Sequence, residues 1–163
     1  MEESKLKISE EAGFSLIEGM LATLILAVGL LALAGIQGMS LGRNVDANEL
    51  TLATNLGADM LERIQFNRRN VAAYNNIDTL VIATQPAIDQ MARGDYTQWQ
   101  TRLVASRLSS IQGRIAVSTT GPTTPSLNQN LVTVQISWRG SVKSETSTFM
   151  NRTLTLTTIV APE

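Results

Sequence analysis

The chain has 163 residues, 13 Lys plus Arg against 14 Asp plus Glu, and a formal net charge of −1. This balance argues against a dedicated nucleic-acid partner. There is no histidine and no cysteine, which excludes Ser-His-Asp and Cys-His nucleophile systems, the usual zinc sites and any disulfide. The arginines are spread along the chain, and Arg68-Arg69 is the one tight pair, read as a solvated surface pair. Carboxylate-pair chemistry stays formally open. Asp78, Asp89 and Asp95 nevertheless sit in ordinary polar sequence with no motif around them. The expectation is a protein without catalytic residues, metal or cofactor.

Residues 1–12 are polar, with Lys5 and Lys7 against Glu2, Glu3, Glu10 and Glu11. Gly13-Phe14-Ser15-Leu16-Ile17-Glu18 then opens an apolar run that reaches Met39, and no charged residue stands between Gly19 and Gly42. A helix needs about 20 apolar residues to cross a hydrocarbon layer of about 30 Å. The run meets that length, with Leu16, Ile17, Leu21, Leu24, Ile25, Leu26, Val28, Leu30, Leu31, Leu33 and Ile36 as its large side chains. A cleaved secretory signal would have a shorter apolar region followed by an Ala-x-Ala-like site. Neither is present, so the segment reads as a retained anchor, with any cleavage before it. Glu18 stands inside its start. An acid in a membrane segment is a functional hypothesis by default; the plainer alternative is a carboxylate snorkelling at the membrane edge.

No proline occurs before Pro86, so nothing earlier is forced to stop the helix. After Gly42 the pattern turns amphipathic. Ala53, Leu56, Gly57, Met60, Leu61 and Ile64 recur on a single helical face. Asp59 and Arg63 form an i, i+4 pair of the favourable order. The spacing predicts one helix from about Phe14 to about Phe66, about 80 Å long at 1.5 Å per residue. Gly29, Gly35, Gly38 and Gly42 dot it. They read equally well as close-approach positions in a membrane and as points that ease melting.

Residues 67–112 are mixed. Asn67, Asn70, Asn75 and Asn76 mark a helix end and loops. Asp78–Ala92 and Asp95–Leu108 could each hold a short helix, with Gly94 between them and Trp99 on an apolar face with Leu103. From Gly113 the period becomes two, with Ile115 and Val117 alternating with polar or small neighbours. Residues 119–130 read as a turn-rich loop. Val132, Val134, Ile136 and Trp138 share one face of a half-buried strand. Arg139-Gly140-Ser141 reads as the start of a turn, and Leu154 and Leu156 alternate with threonines in a last strand. Three strands imply an antiparallel sheet laid on the amphipathic half of the helix. The predicted class is α+β, with Leu56, Met60, Leu61, Ile64, Trp99, Val132, Val134, Ile136 and Trp138 packing the head.

The opening motif, a short hydrophilic leader followed by Gly13, Phe14, Leu16-Ile17, Glu18 and a long apolar span, resembles the class III signal of type IV pilins and pseudopilins. Val28–Gln37 and Ala53–Asn67 are similar to the PilV-like minor pilins of that superfamily, and Trp99 and Val132–Trp138 fall where those chains have a tryptophan segment and a Val-rich strand. The resemblance implies a type IV pilin-like fold with a leader (1–13), a transmembrane or filament-core helix half (14–39) and a periplasmic head (40–163). It implies cleavage by a prepilin peptidase between Gly13 and Phe14, N-methylation of Phe14, and an assembly role for Glu18. The α-amine of a cleaved chain is mostly cationic, and Glu18 of one subunit could meet the Phe14 amine of its neighbour, since a buried charge is tolerated when paired.

The implied function is a structural subunit, not an enzyme: a minor pilin, anchored by one span in the bacterial inner membrane and incorporated into the pilus. It would help initiate assembly with other minor pilins and the major pilin, and with an adhesin at the pilus tip. A type II secretion pseudopilin of the GspI kind shares the opening motif and is the alternative. A membrane-anchored periplasmic enzyme or sensor is a third reading, which leaves Gly13–Glu18 unexplained.

Overall fold

The computed structural model describes residues 15–86, 90–119, 129–143 and 149–161. Helix α1 spans Leu16–Phe66, 51 residues without a break. The chain divides into two units, the first ending at Leu41 and the second running from Gly42. In the first unit α1 is the whole of the described structure. Its start matches the predicted one to within two residues, Phe14 itself lying outside the described residues.

The second unit is an α+β head. Residues 42–66 of α1 bury one face, made by Glu49, Ala53, Gly57, Met60 and Ile64. Against it lies a four-stranded antiparallel sheet in the order β1-β2-β3-β4. The strands are β1 (Ile77–Asp78), β2 (Ser109–Thr119), β3 (Asn130–Lys143) and β4 (Phe149–Val160). Val132, Val134, Ile136 and Trp138 of β3 are buried. That follows from alternation: with a period of two, one set of β3 side chains faces the helix and the intervening Thr133, Gln135 and Ser137 face away. Leu56 and Leu61 flank the buried stripe of α1 and are half-buried.

Helix α2 (Gln90–Ala105) packs against β2 and is bonded through side chains to α1. Ala92, Asp95, Tyr96, Trp99 and Leu103 recur at helical spacing and are buried. Trp99 Nε1 donates to the Leu56 carbonyl at 2.9 Å, satisfying the indole where it enters the core. Arg63 ties the two helices: its Nε reaches Asp59 at 3.1 Å, and its Nη1 reaches Asp95 at 3.1 Å and Gln98 at 2.9 Å. Arg102 adds a 2.7 Å contact to Asp59.

Four predicted boundaries need correction. Gly94 does not separate two helices; it lies inside α2. One glycine costs about 1 kcal/mol in a helix, less than the burial of Tyr96, Trp99 and Leu103 returns. Of Asp78–Ala92, residues 78–86 are not α-helical, while Gln90–Ala92 open α2. Asp78 is drawn into β1 beside Arg114, and a short 3-10 turn follows at Ile82–Thr84, with the Thr84 hydroxyl donating to the Asp78 carbonyl at 2.8 Å. A further 3-10 segment, Arg68–Tyr74, follows α1. Arg139-Gly140-Ser141 does not begin a turn, because β3 runs on to Lys143, with Arg139 opposite Asn151 and Lys143 opposite Phe149. The irregularity between those pairs absorbs the glycine. The sheet has four strands instead of three, β1 being too short to leave a periodic signal. Of the turn-rich stretch, Thr119 and Asn130 pair across β2 and β3, and 120–128 lies outside the described residues.

Two glycines test the packing. A Cβ on Gly113 would collide with the Trp99 ring and stand 2.9 Å from a Leu103 methyl. A Cβ on Gly94 would meet nothing within 4 Å. Gly113→Ala should therefore destabilise the head by about 1–3 kcal/mol, and Gly94→Ala should stabilise it by up to about 1 kcal/mol. Denaturant unfolding of the two variants should shift the midpoint in opposite directions; equal shifts would refute the packing described.

Candidate functional site

Between Leu16 and Leu41 every large apolar side chain of α1 is exposed, Leu16 at 84 % and Leu31 at 75 % among them. These residues include all eleven expected in the span. The segment has the length and composition of a membrane-crossing helix, about 39 Å at 1.5 Å per residue. Its polar groups are few. The Thr23 hydroxyl lies 3.1 Å from the Gly19 carbonyl and 2.9 Å from that of Met20, so it returns its hydrogen to its own helix. That is the arrangement an apolar surrounding demands. A Cβ on Gly19, Gly29, Gly35 or Gly38 would meet nothing within 4 Å. The four glycines thus leave shallow notches on an otherwise bulky surface, where another helix can approach closely.

Glu18 lies in the first turn of α1 with an exposed side chain. Its own backbone N–H, like that of Gly19, reaches back to the Ser15 carbonyl, at 2.9 Å and 3.2 Å. A carboxylate there is favoured by the helix dipole. Gly13 and Phe14, the expected processing residues, lie outside the described residues.

In the head a second carboxylate stands out, and neither motif nor resemblance marks it. Glu49 is 4 % exposed. Its Oε2 accepts from Trp138 Nε1 at 3.0 Å and its Oε1 from the Ser141 backbone N–H at 2.9 Å. Burial pushes this carboxyl up; the hydrogen bonds from Ser141 and Trp138, with the Arg152 charge nearby, outweigh burial and hold it below its usual value. One turn earlier, Asp46 pairs with Arg152 Nη2 at 2.7 Å. Together they fasten the first turns of the amphipathic half of α1 to β3 and β4. The sequence did carry a signal: Glu49 falls four residues before Ala53, in step with Gly57, Met60 and Ile64, a charge on an apolar face.

Asp95 also differs from its expected polar surroundings. It is 8 % exposed and accepts from the Tyr74 hydroxyl at 2.6 Å as well as from Arg63. Asp78 is held below its usual value despite burial, which raises it, by Gln112, the Leu80 N–H and Arg114. Asp89 lies outside the described residues. Both described carboxylates are engaged in structural hydrogen bonds. Among the described residues no group of three His, Cys, Asp or Glu side chains is placed to hold a metal ion. One cleft, open to solvent, is lined by Gln65–Asn70, of which Asn67 is buried.

Set against known proteins, the chain matches no family model, no curated protein and no solved structure.

Glu49 gives a pH-dependent prediction. A carboxyl held below its unfolded value adds stability that is full above about pH 4.3 and fades as pH falls through its lower folded value. Glu49→Gln should lose about 1–3 kcal/mol at pH 7. The gap to wild type in urea unfolding should close below about pH 4.3. A gap that stays constant between pH 7 and pH 3 would show that the charge is not what matters.

Proposed function

We propose that this protein is a minor type IV pilin, a structural subunit that helps start assembly of a pilus from the bacterial inner membrane. The observation that carries the reading is one helix with two surfaces. Its first half is apolar and exposed around its whole circumference with a single acid, Glu18, in the first turn, and its second half forms the core of a small α+β head. The motif Gly13-Phe14-Ser15-Leu16-Ile17-Glu18 adds the processing signal that this arrangement calls for.

On this reading a prepilin peptidase cuts between Gly13 and Phe14, with the leader in the cytoplasm and the head in the periplasm. The apolar half holds the subunit in lipid until it is withdrawn. It then exchanges lipid for the apolar helices of neighbouring pilins, a transfer between two apolar surroundings that leaves the hydrophobic term nearly unchanged. What directs the exchange is charge. Glu18 and the Phe14 amine of an adjacent subunit neutralise one another in a medium where either alone would be costly. The head meets other minor pilins, and a tip adhesin is a fitting further partner.

The decisive measurement is the N-terminal mass of the protein from its native membrane. A chain that begins at Phe14 and carries one added methyl group is expected. An intact Met1, or a cut beyond Met39, would remove the pilin reading. Glu18→Ala should leave membrane insertion intact and lower the yield of surface pili by at least about tenfold, the effect of leaving a buried charge unpaired by 1.4 kcal/mol or more. Pili at wild-type levels would refute the pairing. Loss of protein secretion with pili intact, on deleting the protein, would instead place it in a type II secretion machine.

A further inference from the structure

Within the head, α1 is held to the sheet in two ways. From Leu52 onward the grip is apolar. Ala53, Gly57, Met60 and Ile64 are buried, and Leu52, Leu56 and Leu61 are half-buried against the core. Over residues 42–51, about three turns, Glu49 is the one buried residue. The two large apolar side chains of this stretch, Val45 and Leu50, are 43 % and 49 % exposed. A Cβ on Gly42 would make only ordinary contact with Val142, at 3.6 Å. What ties these turns to the sheet is therefore polar, and two carboxylates provide it.

Glu49 is satisfied on both oxygens, by Trp138 Nε1 at 3.0 Å and by the Ser141 N–H at 2.9 Å. Asp46 is held less well. Its Oδ2 meets Arg152 Nη2 at 2.7 Å, while its Oδ1 and the Arg152 Nε are buried without a hydrogen-bond partner. A buried polar atom left unpaired carries a desolvation cost, which opening to water relieves. Gly140 gives Arg152 its path across β3, since a Cβ there would stand 2.7 Å from the Arg152 Nε. Of the charges on the facing elements, Arg152 of β4 acts on Glu49. From β3 come the neutral Trp138 and Ser141, while Arg139 lies over the Phe149 ring. On α1 itself are Asp46 and the exposed Arg43.

We infer that residues 42–51 form a strap that leaves the sheet as a unit while residues 52–66 stay packed, held shut by the negative charges of Glu49 and Asp46. Opening frees the Trp138 indole N–H and the Ser141 N–H, and it uncovers the cleft that Ala47, Leu50 and Thr153 line. The head thereby has a second state that leaves its apolar core intact. Acid favours that state. Glu49 is held below its usual value, so its hold is full above about pH 4.3 and fades as pH falls through the lower folded value. None of this depends on whether the chain is a pilin.

The test is hydrogen exchange followed residue by residue by NMR, on the full chain in detergent at pH 7 and in urea below the unfolding transition. A pivot and an unwinding of the strap both break the two bonds to Glu49, so the Trp138 indole N–H and the Ser141 amide report either. Both should be at least about tenfold less protected than the β3 amides of residues 132–136. They should also respond only weakly to urea, because the opening exposes little surface. Equal protection and equal urea dependence would overturn the inference, since the strap would then open only when the head unfolds. A second arm uses Asp46→Asn with Glu49→Gln. This variant should keep a cooperative urea transition while its indole and Ser141 protection falls at least about tenfold further at pH 7, and the gap to wild type should close towards pH 3. Wild-type protection in the variant would show that the two charges do not hold the strap. Loss of the cooperative transition would show that residues 52–66 do not stay packed without it. Either result would also overturn the inference.

Discussion

Burial of one narrow face of α1 is the constraint on which the head depends. That face carries Glu49, Ala53, Gly57, Met60 and Ile64. Two of the five are small, so the sheet can come close. A Cβ on Gly57 would stand 2.7 Å from a Leu156 methyl and 3.6 Å from one of Ile136, which shows how little space is left between helix and sheet. Close approach in turn requires that the bulk be supplied from the sheet side, and β3 supplies it with Val132, Val134, Ile136 and Trp138. It also requires that Glu49, which cannot leave this face, be satisfied in place. The Trp138 indole and the Ser141 N–H do so, and they fix the register of β3 along the helix. An isolated carboxylate at that depth would be strongly destabilising.

The first half of the helix obeys a different rule. Each large apolar side chain left in water costs about 1.5–3 kcal/mol relative to burial, and between Leu16 and Leu41 all of them are exposed. By length and composition the segment suits lipid or other apolar helices around it. The absence of any charge from Gly19 to Gly42 and the self-satisfied Thr23 hydroxyl make both surroundings acceptable. Glu18 stands at the start of this segment, exposed in the first turn of α1.

Strong periodicity made much of this fold readable from the residues. The stripe Ala53–Ile64 and the alternation Val132–Trp138 each repeat enough times to define an element and its buried face, and Trp99 with Leu103 falls on the core side of α2. Where the residues misled, a tertiary contact had overruled a local signal. Gly94 reads as a helix break, yet α2 runs through it because the residues around it are buried. Arg139-Gly140-Ser141 reads as a turn, yet the strand continues because Ser141 has a partner in Glu49 and Arg139 one across the sheet in Asn151. Glu49 itself was in plain view as an acid in step with an apolar stripe. Its partners, 89 and 92 residues away, exist only once β3 is laid on the helix. Asp95 gave less warning, since Tyr74 and Arg63 reach it from two separate segments.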